Sequence, residues 1–162
     1  MVAKNAEPLA EEIGMLIARS RRLIWQEAGR KLDSAGESLL AWQTLTRLMN
    51  DGPTTQRALA DAMGQHPAGV CRLLEDLEER GFVQRVRNPD DRRCMQVRLT
   101  TKGRARHKHF RPHIIEAMQT ALQPLSASER KVLRDLLERV ADAAAGQSTA
   151  TAATAAAAHA AR

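Results

Sequence analysis

Residues 80–111, RGFVQRVRNPDDRRCMQVRLTTKGRARHKHFR, decide the fold. Phe82 to Arg87 and Met95 to Leu99 each alternate apolar and polar side chains, the period of a half-buried strand, and Asn88-Pro89-Asp90-Asp91 between them supplies turn residues. The segment reads as a basic β-hairpin. It carries eleven Lys and Arg against only Asp90 and Asp91, a local charge of +9. Neutralising the dense phosphate line of duplex DNA releases counterions, so a cluster of this density points to a nucleic-acid surface.

Upstream of the hairpin, Pro67 suits a first helical position, and Val70, Leu73, Leu74 and Leu77 continue that helix to Gly81. A short helix precedes it. That helix starts at Thr54 or Thr55, turns Leu59, Ala60 and Met63 inward, and stops at Gly64, which suits a left-handed ending. Ser38 can cap another helix through Met49, with Ala41, Leu45 and Leu48 on one face, before Asn50-Asp51-Gly52-Pro53 breaks it. First in the chain, Leu9, Ile13, Leu16, Ile17, Leu23, Ile24, Ala28 and Leu32 recur at three- and four-residue steps, the pattern of a long amphipathic helix, and Gly36 ends the link that follows.

Downstream, Thr101 begins a fifth helix carrying Phe110, Ile114, Ile115, Met118 and Leu122, broken near Pro124. Ser126-Ala127-Ser128-Glu129 is a capping box for a sixth, whose apolar face is Val132, Leu133, Leu136, Leu137 and Val140. From Ala143 the chain turns Ala- and Thr-rich. Alanine alone supplies no packing face, so residues 144–162 are expected to form a disordered or weakly helical tail.

Composition narrows the function. The chain of 162 residues suits one domain, and with two Trp, two Phe and no Tyr its core must be aliphatic, which favours helices. The net charge of +6 favours an anionic partner. No run of about 18 apolar residues is present to span a bilayer, and the start Met1-Val2-Ala3-Lys4-Asn5 lacks a secretory apolar region, so a cytoplasmic location without membrane contact is expected. Cys71 and Cys94 make no disulfide framework and no C-x-x-C pair, and are expected as reduced thiols. No Gly-rich phosphate loop, G-x-S-x-G elbow or H-E-x-x-H motif occurs, so an enzyme is not expected, nor is a cofactor. RNA modules usually display stacking aromatics, which this chain nearly lacks.

Helix, turn, helix and basic hairpin together make a winged helix-turn-helix, in which the second helix enters the major groove and the wing reaches phosphates or the minor groove. The expected fold is mainly α, with a two-stranded β wing. Thr55-Gln56-Arg57-Ala58-Leu59-Ala60, Leu73 to Gly81, Asp91-Arg92-Arg93 and Val97-Arg98-Leu99-Thr100-Thr101-Lys102-Gly103 resemble the MarR (multiple antibiotic resistance regulator) family over about residues 9–143. That resemblance implies a homodimeric transcriptional regulator, usually a repressor, on a palindromic duplex DNA operator. Small ligands usually release such proteins. It also implies a helical dimerisation region at 1–35 and 101–143 flanking a DNA-binding lobe at 36–100.

By the same resemblance Arg93 enters the minor groove and Asp91 holds the wing, with Arg92 an adjacent phosphate contact. A guanidinium suits the narrow, negative minor groove. Arg87 ends the first wing strand, just before the turn. On the recognition helix His66 and Arg72 are the polar candidates, Ala68 and Cys71 can touch a thymine methyl, and Gly69 permits close backbone approach to phosphate. The family's ligand site, between dimer region and DNA lobe, would take Arg22, Trp25 and Trp42. An indole pair with a guanidinium suits an aromatic carboxylate, while the plainer reading makes the two Trp core packing and Arg22 a surface charge.

Two other switches are conceivable. Oxidation of Cys71 would place a bulky polar group against the groove, although a small, partly buried thiol is the simpler reading. His109 and His113 lie four apart beside His107, with Glu116 as a further donor, but a metal would need more ligands on an already basic helix. No metal is expected. The remaining alternative is a protein that coats nucleic acid without sequence preference.

Overall fold

The computed structural model describes residues 6–87 and 94–160, with side chains described within 7–87 and 94–146. The element order is α1 (Ala6–Ser34), α2 (Leu39–Asp51), α3 (Gln56–Met63), α4 (Pro67–Glu79), β1 (Val83–Arg87), β2 (Met95–Leu99), α5 (Thr101–Leu122) and α6 (Ala127–Ala160). The architecture is therefore mainly α with a two-stranded antiparallel wing. Two compact units comprise Met1–Gln119 and Thr120–Arg162. The sequence reading divided the chain by expected role, at 35/36 and 100/101, whereas compactness keeps α1, the lobe and most of α5 in the first unit.

Local chemistry sets the helix ends. Ser38 Oγ accepts from the Ala41 amide and Thr55 Oγ1 from the Ala58 amide, both at 3.1 Å, so α2 and α3 each start on a hydroxyl cap. Gly64 takes the left-handed conformation (φ 60°, ψ 34°) that ends α3, and Pro67 opens α4 where no helical amide bond is lost. In the second unit Glu129 Oε2 accepts from the Ser126 amide at 2.8 Å while Ser126 Oγ accepts from the Glu129 amide at 3.3 Å, the reciprocal capping box. Hydrogen bonds from the Ser126 hydroxyl and amide hold the Glu129 carboxyl below its usual range.

The hairpin pairs Val83 with Leu99, Arg85 with Val97 and Arg87 with Met95. Thr54 adds a partner that the sequence did not reveal. Its amide and carbonyl bond the carbonyl and amide of Val97 at 3.2 and 2.7 Å, so the wing's base is stitched to the approach of α3. Glu78 binds β1 to α4: Oε1 accepts from the Arg85 amide at 2.8 Å and Oε2 pairs with its guanidinium.

The Leu99-Thr100-Thr101-Lys102-Gly103 run has a steric and hydrogen-bonding basis. Thr100 Oγ1 donates to the Gly81 carbonyl at 2.8 Å and accepts from the Gly103 amide at 3.0 Å, capping α5 against the turn after α4. A Cβ on Gly103 would lie 2.0 Å from the Phe82 carbonyl oxygen, so only glycine allows this approach.

Two apolar clusters result. One gathers α2, α3, α4 and the hairpin around Leu45, Leu59, Val70, Leu74, Leu77 and Val97. The other joins α1, α2 and α5 through Ala28, Leu32, Trp42, Phe110, Ile114 and Ala117. Leu9, Ile13, Leu16, Ile17 and Leu23 of α1 lie outside both and are exposed.

Of the two expectations for the tail, disordered or weakly helical, the structure has helix, since α6 runs to Ala160. Alanine has the highest helix propensity, and past Gly146 no glycine or proline interrupts the run before Ala160.

Candidate nucleic-acid interface

The first turn of α4 faces solvent. His66 is its N-cap in an extended conformation (φ −67°, ψ 133°), and its Nδ1 accepts from the Ala68 amide at 3.3 Å. With Nδ1 as acceptor, the neutral ring carries its proton on Nε2, leaving that edge a donor. Ala68, Gly69 and Arg72 are exposed, and no heavy atom lies within 4 Å of where a Gly69 Cβ would stand. Cys71 is half-buried, its Sγ donating to Glu75 Oε1 at 3.2 Å, which turns the thiol along the helix. Arg87 is exposed at the end of β1. Asp91, Arg92 and Arg93 lie outside the described residues. Thus four of the six described α4 and wing candidates, Ala68, Gly69, Arg72 and Arg87, present open surface, His66 presents it beyond its cap, and Cys71 only partly does.

The opposite end of α4 is tied down. Arg80, its C-cap, pairs with Asp76 at 2.9 Å and with Glu37 at 2.7 Å. Burial opposes the Arg80 charge, but its hydrogen bonds to Asp76 and Glu37 outweigh that and raise its pKa. Glu37 also accepts from Arg106 Nε at 2.9 Å. Sequence reading missed this cluster because its members stand 43 and 69 residues apart and Glu37 sits in an inter-helix link, so no helical or strand period marks it.

Arg22 and Trp25 do share a groove, an open hollow of about 590 Å³ between α1 and α2 that Arg21, Arg30, Leu39 and Gln43 also line. Trp42 does not line it. Its ring is 7% exposed in the α1–α2–α5 cluster, stacked on His107 at 5.3 Å and tilted against Trp25 at 6.2 Å. Its indole N–H is buried without an acceptor, a cost of order 1–3 kcal/mol that the stacking must outweigh. Trp42 therefore touches the groove only through Trp25.

His107 is also committed. Nε2 lies 3.0 Å from Thr46 Oγ1, and burial, then the Arg111 charge, push its pKa below 6.5. His109 packs edge-on against Phe110 instead of converging with His107. Among the described residues no three His, Cys, Asp or Glu side chains gather as a metal site, and no helix is long and apolar enough to cross a membrane.

Residues 36–93 match the sequence model of the MarR family. The HTH-type transcriptional regulator Mb0904 of Mycobacterium bovis is 32% identical over 127 residues, covering 78% of this chain and 85% of the relative. YdgJ of Bacillus subtilis, another HTH-type transcriptional regulator, is 36% identical over 98 residues, so the match spans 60% of each chain. In fold, wild-type MarR (apo form) from Escherichia coli superposes with a TM-score of 0.73 at 24% identity, covering 78% of this chain and 94% of that one. With the MarR model matching the lobe and a relative 32% identical over 85% of its length, the chain belongs to the MarR family of transcriptional regulators.

Proposed function

We propose that this regulator is a homodimer that binds an inverted-repeat duplex DNA operator, represses from it, and is released by a small anionic effector, an aromatic carboxylate in the first instance. The observation that carries this reading is the bare first turn of α4, with His66, Ala68, Gly69 and Arg72 open to solvent in the lobe that bears the basic wing. Arg72 and the His66 Nε2 edge supply donors to base edges, Gly69 exposes backbone to a phosphate, and Cys71 offers an apolar edge to a thymine methyl. Arg87 approaches a phosphate rail. Arg93 enters the minor groove, with Asp91 orienting it and Arg92 on a phosphate.

Two such lobes fit one operator when their recognition helices stand about 34 Å apart, one turn of DNA. Partnership is supported by the exposed apolar stripe of α1 and, separately, that of α6, which a second copy would cover. The groove with Arg22 and Trp25 supports the effector class: guanidiniums for a carboxylate, an indole face for a ring. Trp42 backs Trp25. Such an effector must bind the released geometry better than the DNA-bound one, because equal affinity would shift nothing.

Gel shifts on the DNA upstream of its own gene test the reading, at two salt concentrations and with aromatic acids added. Wild type binds tightly, Arg93→Ala and Arg72→Ala each lose about tenfold or more, and one acid both reverses the shift and changes tryptophan emission saturably. Binding indifferent to sequence and to both arginines would leave a protein that merely coats nucleic acid.

A further inference from the structure

Glu37 stands in the short link between α1 and α2, yet its side chain is only 2% exposed. One oxygen, Oε2, accepts from Arg80 Nη2 at 2.7 Å and from Arg106 Nε at 2.9 Å, while Oε1 accepts from the Ser38 amide at 3.2 Å. Arg80 is the C-cap of α4, and Arg106 lies near the start of α5. Phe82 fills the angle between them, its ring 4.8 Å from the Arg80 guanidinium and 5.4 Å from that of Arg106. One buried carboxylate thus joins the α1–α2 link, the end of the recognition helix and α5.

Stability alone is a poor account of such a group. Desolvating the carboxylate, and in part both guanidiniums, cancels much of their attraction, and apolar side chains of similar volume commonly hold a fold as well. Charge-assisted hydrogen bonds add direction, because a guanidinium fork accepts a carboxylate in few orientations. The helix so anchored at Arg80 carries His66 and Arg72 at its other end. We infer that Glu37 is a positioning residue for operator recognition, setting the aim of α4 against α1 and α5 through Arg80 and Arg106. This rests on the DNA-binding reading above. A shift of α1 or α5 reaches α4 through this carboxylate, so Glu37 also governs how closely operator spacing is read.

The test compares wild type with Glu37→Gln and with Arg106→Lys, which keeps the charge but loses the fork and carries the test if Glu37→Gln fails to fold. Circular dichroism and thermal melting report folding. In a Cys71→Ser, Cys94→Ser background, spin labels at positions 72 and 111, diluted with unlabelled chain, report the aim of α4 within one protomer. Gel shifts use inverted repeats whose half-site spacing differs by one base pair. The expected result is folded variants with a broadened 72–111 distance, operator affinity about tenfold weaker, and a reduced preference for the best spacing. Variants that melt earlier but keep the wild-type distance, affinity and spacing preference would make Glu37 a purely structural residue and overturn the inference. Wild type that binds no inverted repeat would refute the operator reading, and the distance measurement would still decide whether Glu37 aims α4.

Discussion

In the winged lobe, Leu59, Val70, Leu74 and Leu77 are wholly buried, while Leu9, Leu16, Val132, Leu136 and Val140, with the same chemistry and the same three- and four-residue spacing, stand about half in solvent. The difference lies in what covers each stripe. Inside the lobe, α2, α3, α4 and the hairpin each turn an apolar face toward the others, and the cluster closes on itself. Neither the first half of α1, within the first unit, nor the face of α6, within the second, is covered in this way. Periodicity therefore announces that a face will be covered without naming the cover. An apolar stripe left open on a helix, beside a lobe whose stripes are covered, marks a surface suited to a partner, which the proposed second copy would supply.

The largest effect should come from closing the gap on which the lobe depends. Gly103→Ala would drive a methyl group into the Phe82 carbonyl, a backbone atom fixed by Thr100 and the hairpin, and should cost about 4 kcal/mol or more in urea unfolding. A near-wild-type midpoint would mean that α5 can slide away from the lobe. Next is the direct contrast between the two kinds of leucine. Leu74→Ala should cost about 3 kcal/mol of folding stability with self-association unchanged. Leu16→Ser or Leu136→Ser should change a protomer's own fold by only about 0.5 kcal/mol, but weaken self-association in sedimentation about tenfold. If Leu16→Ser lowered stability as Leu74→Ala does and left association alone, the comparison would fail, and α1 would be packing on its own chain.

Most of the architecture was legible because its signals are local. Ser38, Thr55, Gly64, Pro67 and the Ser126–Glu129 box mark helix ends within a few residues of the groups they satisfy. Alternation fixed both strands. Contacts between distant residues were not legible. Thr54 reaching Val97, and Glu37 reaching Arg80 and Arg106, leave no trace in periodicity, since a polar residue in a link reads as solvated. Trp42 shows a subtler limit. The resemblance offered it to the ligand site and the plainer reading to the core, but sequence cannot say whether a side chain reaches a groove or the layer behind it, and Trp42 lies behind, on His107. The tail left two readings open: lacking a packing face, it still has the alanine propensity that carries α6 to Ala160.

The smallest predicted effect lies where the wing meets α4. The Arg85 amide hydrogen bond, strengthened by the Arg85 guanidinium, holds the Glu78 carboxyl below its usual range despite an opposing contribution from burial. A depressed carboxylate adds stability above its unfolded pKa, about 4.3, and loses that contribution as pH falls through the lower folded value. Wild type should therefore exceed Glu78→Gln in stability at neutral pH, and the gap should close below about pH 4. Because the pair is partly exposed, the neutral-pH gap should stay under about 1 kcal/mol and shrink in high salt. Urea unfolding at a series of pH values measures it. A gap that persists unchanged into acid would mean that Gln and Glu differ here through packing, and that the apolar cluster holds β1 to α4 without help from this charge.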